Sequence, residues 1–294
     1  MRHGVTASKV YLPVLDPAPK SLYAFLISEF PHISADVWQS RFQDGLILNH
    51  EAQVLSLDQP YLANQHIYYY RFLAHEISVP FQHEILFEDE HLLVVDKPHF
   101  LTISPSGKYV QETLLVRLKN QTGIADLSPI HRLDRETAGI VLFSKHVASR
   151  GAYQQLFADK KIQKTYHAIA AYTDALDFPK QVKLRMEKGE PFYTMQVVDG
   201  IPNSETAIEL LEHNTTWAKY LLTPITGKQH QLRVHLNWLG LPIRYDPFYP
   251  QVEHKADDDF SQPLQLLAKS IAFVDPFTQE SRYFESKLEL NLNR

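Results

Sequence analysis

The sequence predicts an α+β fold in which a small N-terminal module of helices and short strands precedes a larger domain. Apolar periodicities of both helical and strand type occur along the chain, yet they alternate irregularly, without the repeated strand–helix unit of a doubly wound parallel sheet. The length of 294 residues suits one small and one large domain, and a hydrophobic fraction of 44% is ample for a real core. No internal repeat is visible.

Residues 1–18 read as a tail, since Pro13 and Pro17, with Pro19 just beyond, oppose helix. A module over 19–79 follows. Leu22, Phe25, Leu26 and Phe30 share one helical face, and Pro31 ends it. Ser34 caps a second helix whose Val37, Trp38 and Phe42 form a stripe ending at Gly45. Short strands follow at LILNH and, after Ala63-Asn64-Gln65, at HIYYYRFL. The larger domain spans 80–294. It opens with a hairpin whose apolar runs, Ile85–Phe87 and Leu92–Val95, flank the acidic turn Glu88-Asp89-Glu90. QETLLVRLKNQTG reads as a helix with Leu114, Leu115 and Leu118 inward, GIVLFSK as a buried strand, and VASRGAYQQLFADKK as a helix. KIQKTYHAIAAY alternates as a strand does, and KQHQLRVHLNWLG places Leu232, Leu236 and Leu239 on one helical face stopped by Gly240. Asp257, Asp258 and Asp259 mark a surface loop.

Composition narrows the function. The absence of cysteine excludes disulfides, thiolate metal sites and cysteine nucleophiles. Neither a leader-type apolar run nor a membrane-length apolar stretch occurs, so the expectation is a cytoplasmic protein with no membrane partner. The formal charge of −5 is the wrong sign for a nucleic-acid partner as a whole, although binding needs only a local basic face. Lys145, Arg150, Lys160, Lys161 and Lys164 supply one, or equally a solvated helix face.

The run HRLDRETAGIVLFSK, residues 131–145, carries the most chemistry. An Asp followed by Thr and Gly just before an apolar strand is a tight polar turn with its carboxylate at the end of a rigid element. On the residues alone, such an Asp is more often a structural cap than a catalyst. Fifteen histidines produce chance pairs such as His230 and His235, but no metal-ligand spacing is present, and metal binding is not expected. Asp134 and Glu136, two apart in one turn, are poorly placed as a carboxylate pair facing across a substrate.

This run resembles the signature HRLDxxTSGxxxFxK of the RluA family of pseudouridine synthases, with His131, Arg132, Leu133, Asp134, Thr137, Gly139, Phe143 and Lys145 in place and Ala138 for Ser. LLVVDKP (Leu92–Pro98) and KTYHAI, with Lys164 and Tyr166, are similar to two further family segments. TPITGKQHQLRVHLNWLGLPIRYDPFY is similar to TGRxHQIRVHLxxxGxPIxGDxxY, matching at Thr226, Gly227, His230, Gln231, Arg233, His235, Gly240, Pro242, Asp246 and Tyr249. Lys228 stands where Arg is usual and Tyr245 where Gly is usual. The N-terminal module resembles an S4-like RNA-binding module, although Arg41 is nearly alone beside Asp36 and Asp44 on its second helix.

The resemblance implies a catalytic domain with a mixed, largely antiparallel sheet that isomerises uridine to pseudouridine in rRNA or tRNA without cofactor or metal. It implies Asp134 as the catalytic carboxylate, with Tyr166 covering the base and Arg233 as the compensating cation. Arg233 falls at a helix start, where the dipole disfavours positive charge, so an anion such as Asp134 is expected beside it. His131, Arg132, Lys164, Lys228, His230 and Gln231 are the expected RNA-binding residues. His131 is also read as bracing the turn, and Arg132 as filling the space that a flipped nucleotide leaves. The expected partner is RNA and the expected state a monomer. The other reading is a catalytically inactive RNA-binding protein that keeps the fold.

Overall fold

The structure, a computed structural model, describes residues 2–71, 73 and 76–292. The chain forms two compact units. One comprises Met1–Glu76, Pro105–Gln111 and Val116–Ala125; the other comprises Ile77–Ser104, Glu112–Leu115 and Asp126–Arg294. The first unit is therefore not continuous in sequence, unlike the single cut expected near residue 79. No helix among the described residues is long and apolar enough to cross a membrane.

In the first unit, β1 (Ser8–Leu12), α1 (Leu22–Glu29), α2 (Ala35–Gln43), β2 (Ile47–Leu48) and β3 (Gln65–Tyr69) follow in order. The sheet runs β1-β3-β2, antiparallel throughout. The expected tail is thus corrected at Ser8–Leu12, where alternating Val10 and Leu12 give a strand before the first proline. The expected strand HIYYYRFL includes Phe72, which lies outside the described residues. Ser21 and Ser34 accept backbone N–H bonds from Ala24 and Val37 at 3.1 and 3.4 Å, each a cap of about 1 kcal/mol. Leu22, Phe25, Leu26, Trp38 and Phe42 fill the core, whereas Val37 of the expected stripe is exposed. Arg41 is buried instead, its guanidinium 4.5 Å from the Trp38 ring and 5.2 Å from Tyr69.

The chain continues through β4 (Glu84–Glu88), β5 (Leu92–Lys97), α3 (Leu114–Thr122), β6 (Ser128–Pro129), β7 (Ala138–Ser144), α4 (Val147–Ala158) and β8 (Gln163–Ala171). Then come β9 (Lys180–Lys188), β10 (Met195–Val198), β11 (Ser204–His213), β12 (Trp217–Pro224), α5 (Gln231–Trp238), β13 (Leu266–Val274) and β14 (Ser281–Glu285). Eleven strands form one sheet in the order β10-β9-β11-β12-β8-β13-β7-β5-β4, with β14 on β13 and β6 on β7. Among the strands of the described residues only β13 and β7 pair in parallel, so the sheet is mixed and largely antiparallel, as expected. The β4–β5 hairpin and the α4 and α5 helices also form where the pattern puts them. In α3, Leu115 is only half-buried and Val116 takes its place.

Two features of this sheet position the functional loops. At the parallel contact, Ala268 pairs with Gly139, and a Cβ on Gly139 would lie 2.2 Å from the Ala268 carbonyl oxygen. With φ at +110°, only glycine fits at this crossing. α5 is buried nearly all round, with Gln231, Arg233 and His235 buried alongside Leu232, Val234 and Leu236. His235 Nε2 lies 2.8 Å from Ser204 Oγ, which itself donates to the Leu184 carbonyl at 2.7 Å. The imidazole therefore donates through Nε2.

Beyond α5, the segment carrying Asp246 is pinned to the sheet by Arg244 N–H to Ile169 O and Gln265 N–H to Arg244 O, at 2.9 and 3.0 Å. Tyr245 adopts a left-handed φ of +63° there, which explains the preference for glycine at this position. Its cost, roughly 1–2 kcal/mol, is offset by stacking. The Arg244 guanidinium lies 4.8 Å from the Trp217 ring and 4.7 Å from the Tyr245 ring, and also donates to the Tyr245 hydroxyl at 2.7 Å. Tyr245→Gly is expected to melt within about 1 kcal/mol of wild type, losing the stack but relieving the backbone. Tyr245→Ala loses the stack and keeps the strain, so it melts lower than Tyr245→Gly. Calorimetry of both variants checks this, and Ala melting at or above Gly would refute it.

Candidate active site

Asp134 sits in the turn that leads into β7, with the Thr137 N–H on its carbonyl at 3.2 Å. Three neighbours hold this turn still. His131 Nε2 accepts the Leu142 N–H at 3.1 Å while its ring stacks 4.9 Å from Phe157. Burial pushes the His131 pKa down to about 3, with Lys164 adding to the effect, so the ring stays a neutral acceptor. Lys97, fully buried at the end of β5, donates to the carbonyls of Pro98, Leu101 and Arg135 at 3.0, 2.9 and 3.2 Å. Burial lowers its pKa to about 7, with Glu136 and Asp134 pulling the other way. The third neighbour is His99, whose Nδ1 lies 2.7 Å from the Glu136 carbonyl.

The carboxylate of Asp134, 20% exposed, meets a cation brought by α5. Arg233 Nη1 donates to Asp134 Oδ2 at 3.3 Å. The closer partner of Arg233 is Asp246, which takes bonds from Nε and Nη2 at 2.8 and 2.6 Å in the two-pronged geometry that a guanidinium favours. The expectation of Asp134 as the anion beside Arg233 is thus extended to a triad. Phe248 and Tyr249 rings lie 4.8 and 5.4 Å from the same guanidinium. Burial opposes the charge of Arg233, but Asp246 and Asp134 more than offset it and raise its pKa. Asp246 also accepts the Phe248 and Tyr249 N–H groups at 2.8 and 3.2 Å.

His230 occupies the N-cap of α5 in a left-handed conformation, φ +53°, without a side-chain cap bond. Its Nδ1 lies 2.9 Å from the Tyr249 hydroxyl, and its Nε2 lies 3.8 Å from Asp134 Oδ2. The Tyr249 oxygen already accepts the Met195 N–H at 2.8 Å. Donation of its own proton to Nδ1 would place the imidazole proton on Nε2, on the side of Asp134. Burial lowers the His230 pKa, with Asp134 opposing. Asp134 Oδ1 makes no hydrogen bond among the described residues.

These groups border a cavity of about 380 Å³ lined by His131, Arg132, Asp134, Lys164, Tyr166 and His230, among others. The Tyr166 pKa is raised by burial and then by the charge of Asp134, which keeps the phenol protonated. Lys164, two residues back on β8, has its ammonium 5.9 Å from the Phe157 ring, and burial lowers its pKa. Arg132 is exposed at the rim. Lys228 is exposed, and its backbone N–H donates to Gln231 Oε1 at 3.0 Å. Gln231 is buried, and its amide is fully engaged, accepting also from Thr226 Oγ1 and donating to Glu205 O and Thr206 Oγ1. Of the basic run noted in the sequence, Lys145 pairs with Glu88 at 2.7 Å and Lys161 with Asp159 at 3.2 Å, while Lys164 lines the cavity.

Sequence reasoning assigned no task to Asp246, Tyr249, Lys97 or His99. Asp246 and Tyr249 stood in the matched pattern, but their roles depend on a turn that no periodicity reveals. Lys97 closes an apolar strand, the one local sign that its charge is enclosed.

The family model for RNA pseudouridylate synthase matches residues 91–238. The dual-specificity RNA pseudouridine synthase RluA of Pasteurella multocida is 31% identical over 213 residues, covering 67% of this chain and 89% of that protein. The chain belongs to the RluA family of RNA pseudouridine synthases. A second relative, the ribosomal large subunit pseudouridine synthase C of Vibrio cholerae, is 31% identical over 218 residues, 72% of this chain and 68% of its own. The structure of human RNA pseudouridylate synthase domain containing 1 shares the fold, with a TM-score of 0.58 at 22% identity over 72% of this chain and 86% of that one.

Two outcomes follow for the synthase. Arg233→Ala leaves Asp246 buried without its cation and is expected to cost about 3–5 kcal/mol, read as a lower urea midpoint and lost turnover. An unchanged midpoint would show that the triad is not a buried unit. Acid pH acts through other groups. Burial lowers the pKa of His99 to about 4, His131 to about 3 and His235 to about 4, so below about 6.5 the unfolded chain takes up protons that the native state refuses. Stability from these histidines is full above pH 6.5 and falls as pH drops from there toward 4. Urea midpoints measured from pH 8 to pH 5 should decline below 6.5, and a flat or rising profile would contradict the burial assigned to them.

Proposed function

We propose that this synthase converts uridine to pseudouridine in structured rRNA or tRNA, with Asp134 as its catalytic carboxylate and without cofactor or metal. The observation that carries the reading is the single Arg233 contact on Asp134 Oδ2, at the wall of a cavity large enough for one nucleotide. The reaction breaks the bond from the sugar's anomeric carbon to N1 and joins that carbon to C5. C5 loses a proton and N1 gains one, so atoms balance without any co-reactant. An ionised carboxylate starts this by attacking the anomeric side or by acting as a base, and the Arg233 contact orients Asp134 in either case. Tyr166 covers the uracil with its ring, and its phenol remains available as a proton donor. The target must leave its stack, at a cost of a few kcal/mol. Arg132 at the rim would take the vacated space, while Lys164 and Lys228 meet phosphates.

The relatives' names support the substrate class, one by its dual specificity for RNA and the other by its action on the large ribosomal subunit. The reading includes an S4-like module over 19–79 that acts chiefly as a spacer. Its Arg41 is spent on Trp38 and Tyr69 and offers little to phosphate. It also includes a cytoplasmic monomer.

The test is chemical labelling of pseudouridine in RNA from cells lacking the gene, incubated with purified protein. Wild type should restore specific modified positions, and Asp134→Asn, which keeps the shape but cannot ionise, should fold normally and fall below about a hundredth of the wild-type rate. Activity within tenfold of wild type would remove Asp134 from its role. A wild-type protein that binds RNA and modifies none would favour an inactive RNA-binding protein with this fold.

A further inference from the structure

Between β9 and β10 a short loop carries Phe192, which is 75% exposed. Isolated exposed apolar residues are common and need no explanation. Ile201, 82% exposed in the next connection, is one of these. Phe192 differs in three respects. First, its loop is held closed: Gly189 N–H donates to Thr194 O at 3.0 Å, and both the N–H and the hydroxyl of Thr194 donate to Pro191 O at 2.8 Å. Second, Gln229 Nε2 donates to Tyr193 O at 3.1 Å, which ties this loop to the segment bearing Lys228 and His230. Third, an unbroken row of rings runs inward. Phe192 meets Tyr193 at 5.5 Å, Tyr193 meets Phe248 at 5.3 Å, and Phe248 meets His230 at 5.5 Å between centroids. The row ends on the imidazole that faces Asp134.

We propose that Phe192 is a stacking platform for a nucleobase flanking the target uridine, in a looped or single-stranded RNA segment. The inference rests on the reading of the protein as an RNA pseudouridine synthase. A base beside an everted nucleotide has lost one stacking neighbour, and a fixed aromatic face replaces it whatever the base. A rigid ring two aromatic neighbours from His230 holds that flank without being ordered at the moment of binding. Charge agrees with this. Lys188 and Lys228 are exposed on the two tied segments and suit the accompanying phosphates, with Glu190 the opposing acid in the loop.

The experiment uses uridine heptamers carrying one 2-aminopurine, moved position by position, with full-length protein. Stacking quenches this base's fluorescence. Wild type should quench it strongly at one flanking position. Phe192→Ala should abolish that quench and weaken binding about tenfold, within the range for one stacked base. Phe192→Trp should restore both, and Phe192→Leu, apolar but without a π face, should resemble Ala. Absence of any position-dependent quench in wild type would overturn the proposal, as would full quenching in Ala or wild-type behaviour in Leu. Pseudouridine formation in cellular RNA is scored separately. Its absence sinks the assigned activity, whereas loss of the Phe192-dependent quench alone sinks only this platform.

Discussion

Arg233 is 1% exposed and sits in the first turn of α5, where the helix dipole adds to the cost of burying a cation. What compensates the charge there is chiefly the two carboxylates aimed at it, with the Phe248 and Tyr249 rings alongside. Asp246 takes the larger share through two short bonds, and Asp134 receives one longer contact from the remaining nitrogen. This division has a chemical consequence. A guanidinium clamped on both oxygens of Asp134 would leave neither free to meet a substrate. Sharing the cation with Asp246 leaves Asp134 held through Oδ2, with Oδ1 free of hydrogen bonds among the described residues. Burial first, and then the charge of Asp134, raises the Tyr166 pKa and favours its protonated form beside the carboxylate.

Such an arrangement works only if three distant segments stay in register, and the fold supplies that by different means for each. The Asp134 turn is fastened by the Gly139–Ala268 crossing, by the three carbonyl bonds of Lys97 and by the His131 acceptor. α5 is fixed by burial on nearly every side. The Asp246 turn accepts the backbone strain of Tyr245 and packs its ring on Arg244, whose guanidinium also lies against Trp217. His230 and Tyr245 both hold left-handed backbones here, a strain that persists only where the surroundings over-determine the geometry. Preorganisation of this kind lowers the barrier because no dipole must turn when charge moves.

The sequence carried the parts of this that depend on local pattern. Helix faces, the β4–β5 hairpin and the strand after Asp134 follow from period and punctuation, while Asp134 was singled out by the signature run and Tyr166 and Arg233 by two further matched segments. What it did not carry is tertiary. That Arg233 turns first to Asp246, thirteen residues on, depends on a left-handed Tyr245, and a tyrosine in a glycine position gives no sign of its conformation. Strand β1 was hidden because its five residues precede a proline-rich stretch that reads as a tail. Gln231 looked like an RNA ligand, yet its amide is fully engaged in holding the loop from Thr226 to Lys228.

The net charge of −5 presents an apparent conflict with a polyanionic substrate, and its resolution lies in where the cations are unpaired. Many basic side chains are engaged by the protein's own acids: Lys145 with Glu88, Lys269 with Glu285 and Glu289, and Arg282 with Asp89 and Glu280. These pairs contribute no outward field beyond a few ångströms. Around the cavity the balance differs, because Arg132, Lys164 and Lys228 have no ion-pair partner among the described residues, and Asp134 is the one acid that lines the cavity with them. A phosphate chain responds to this local potential within a Debye length of about 8 Å at physiological salt, not to the charge of the whole surface. An acidic exterior then acts against non-specific adsorption of RNA elsewhere on the protein. The local positive potential is concentrated at the mouth of the cavity that Asp134 lines.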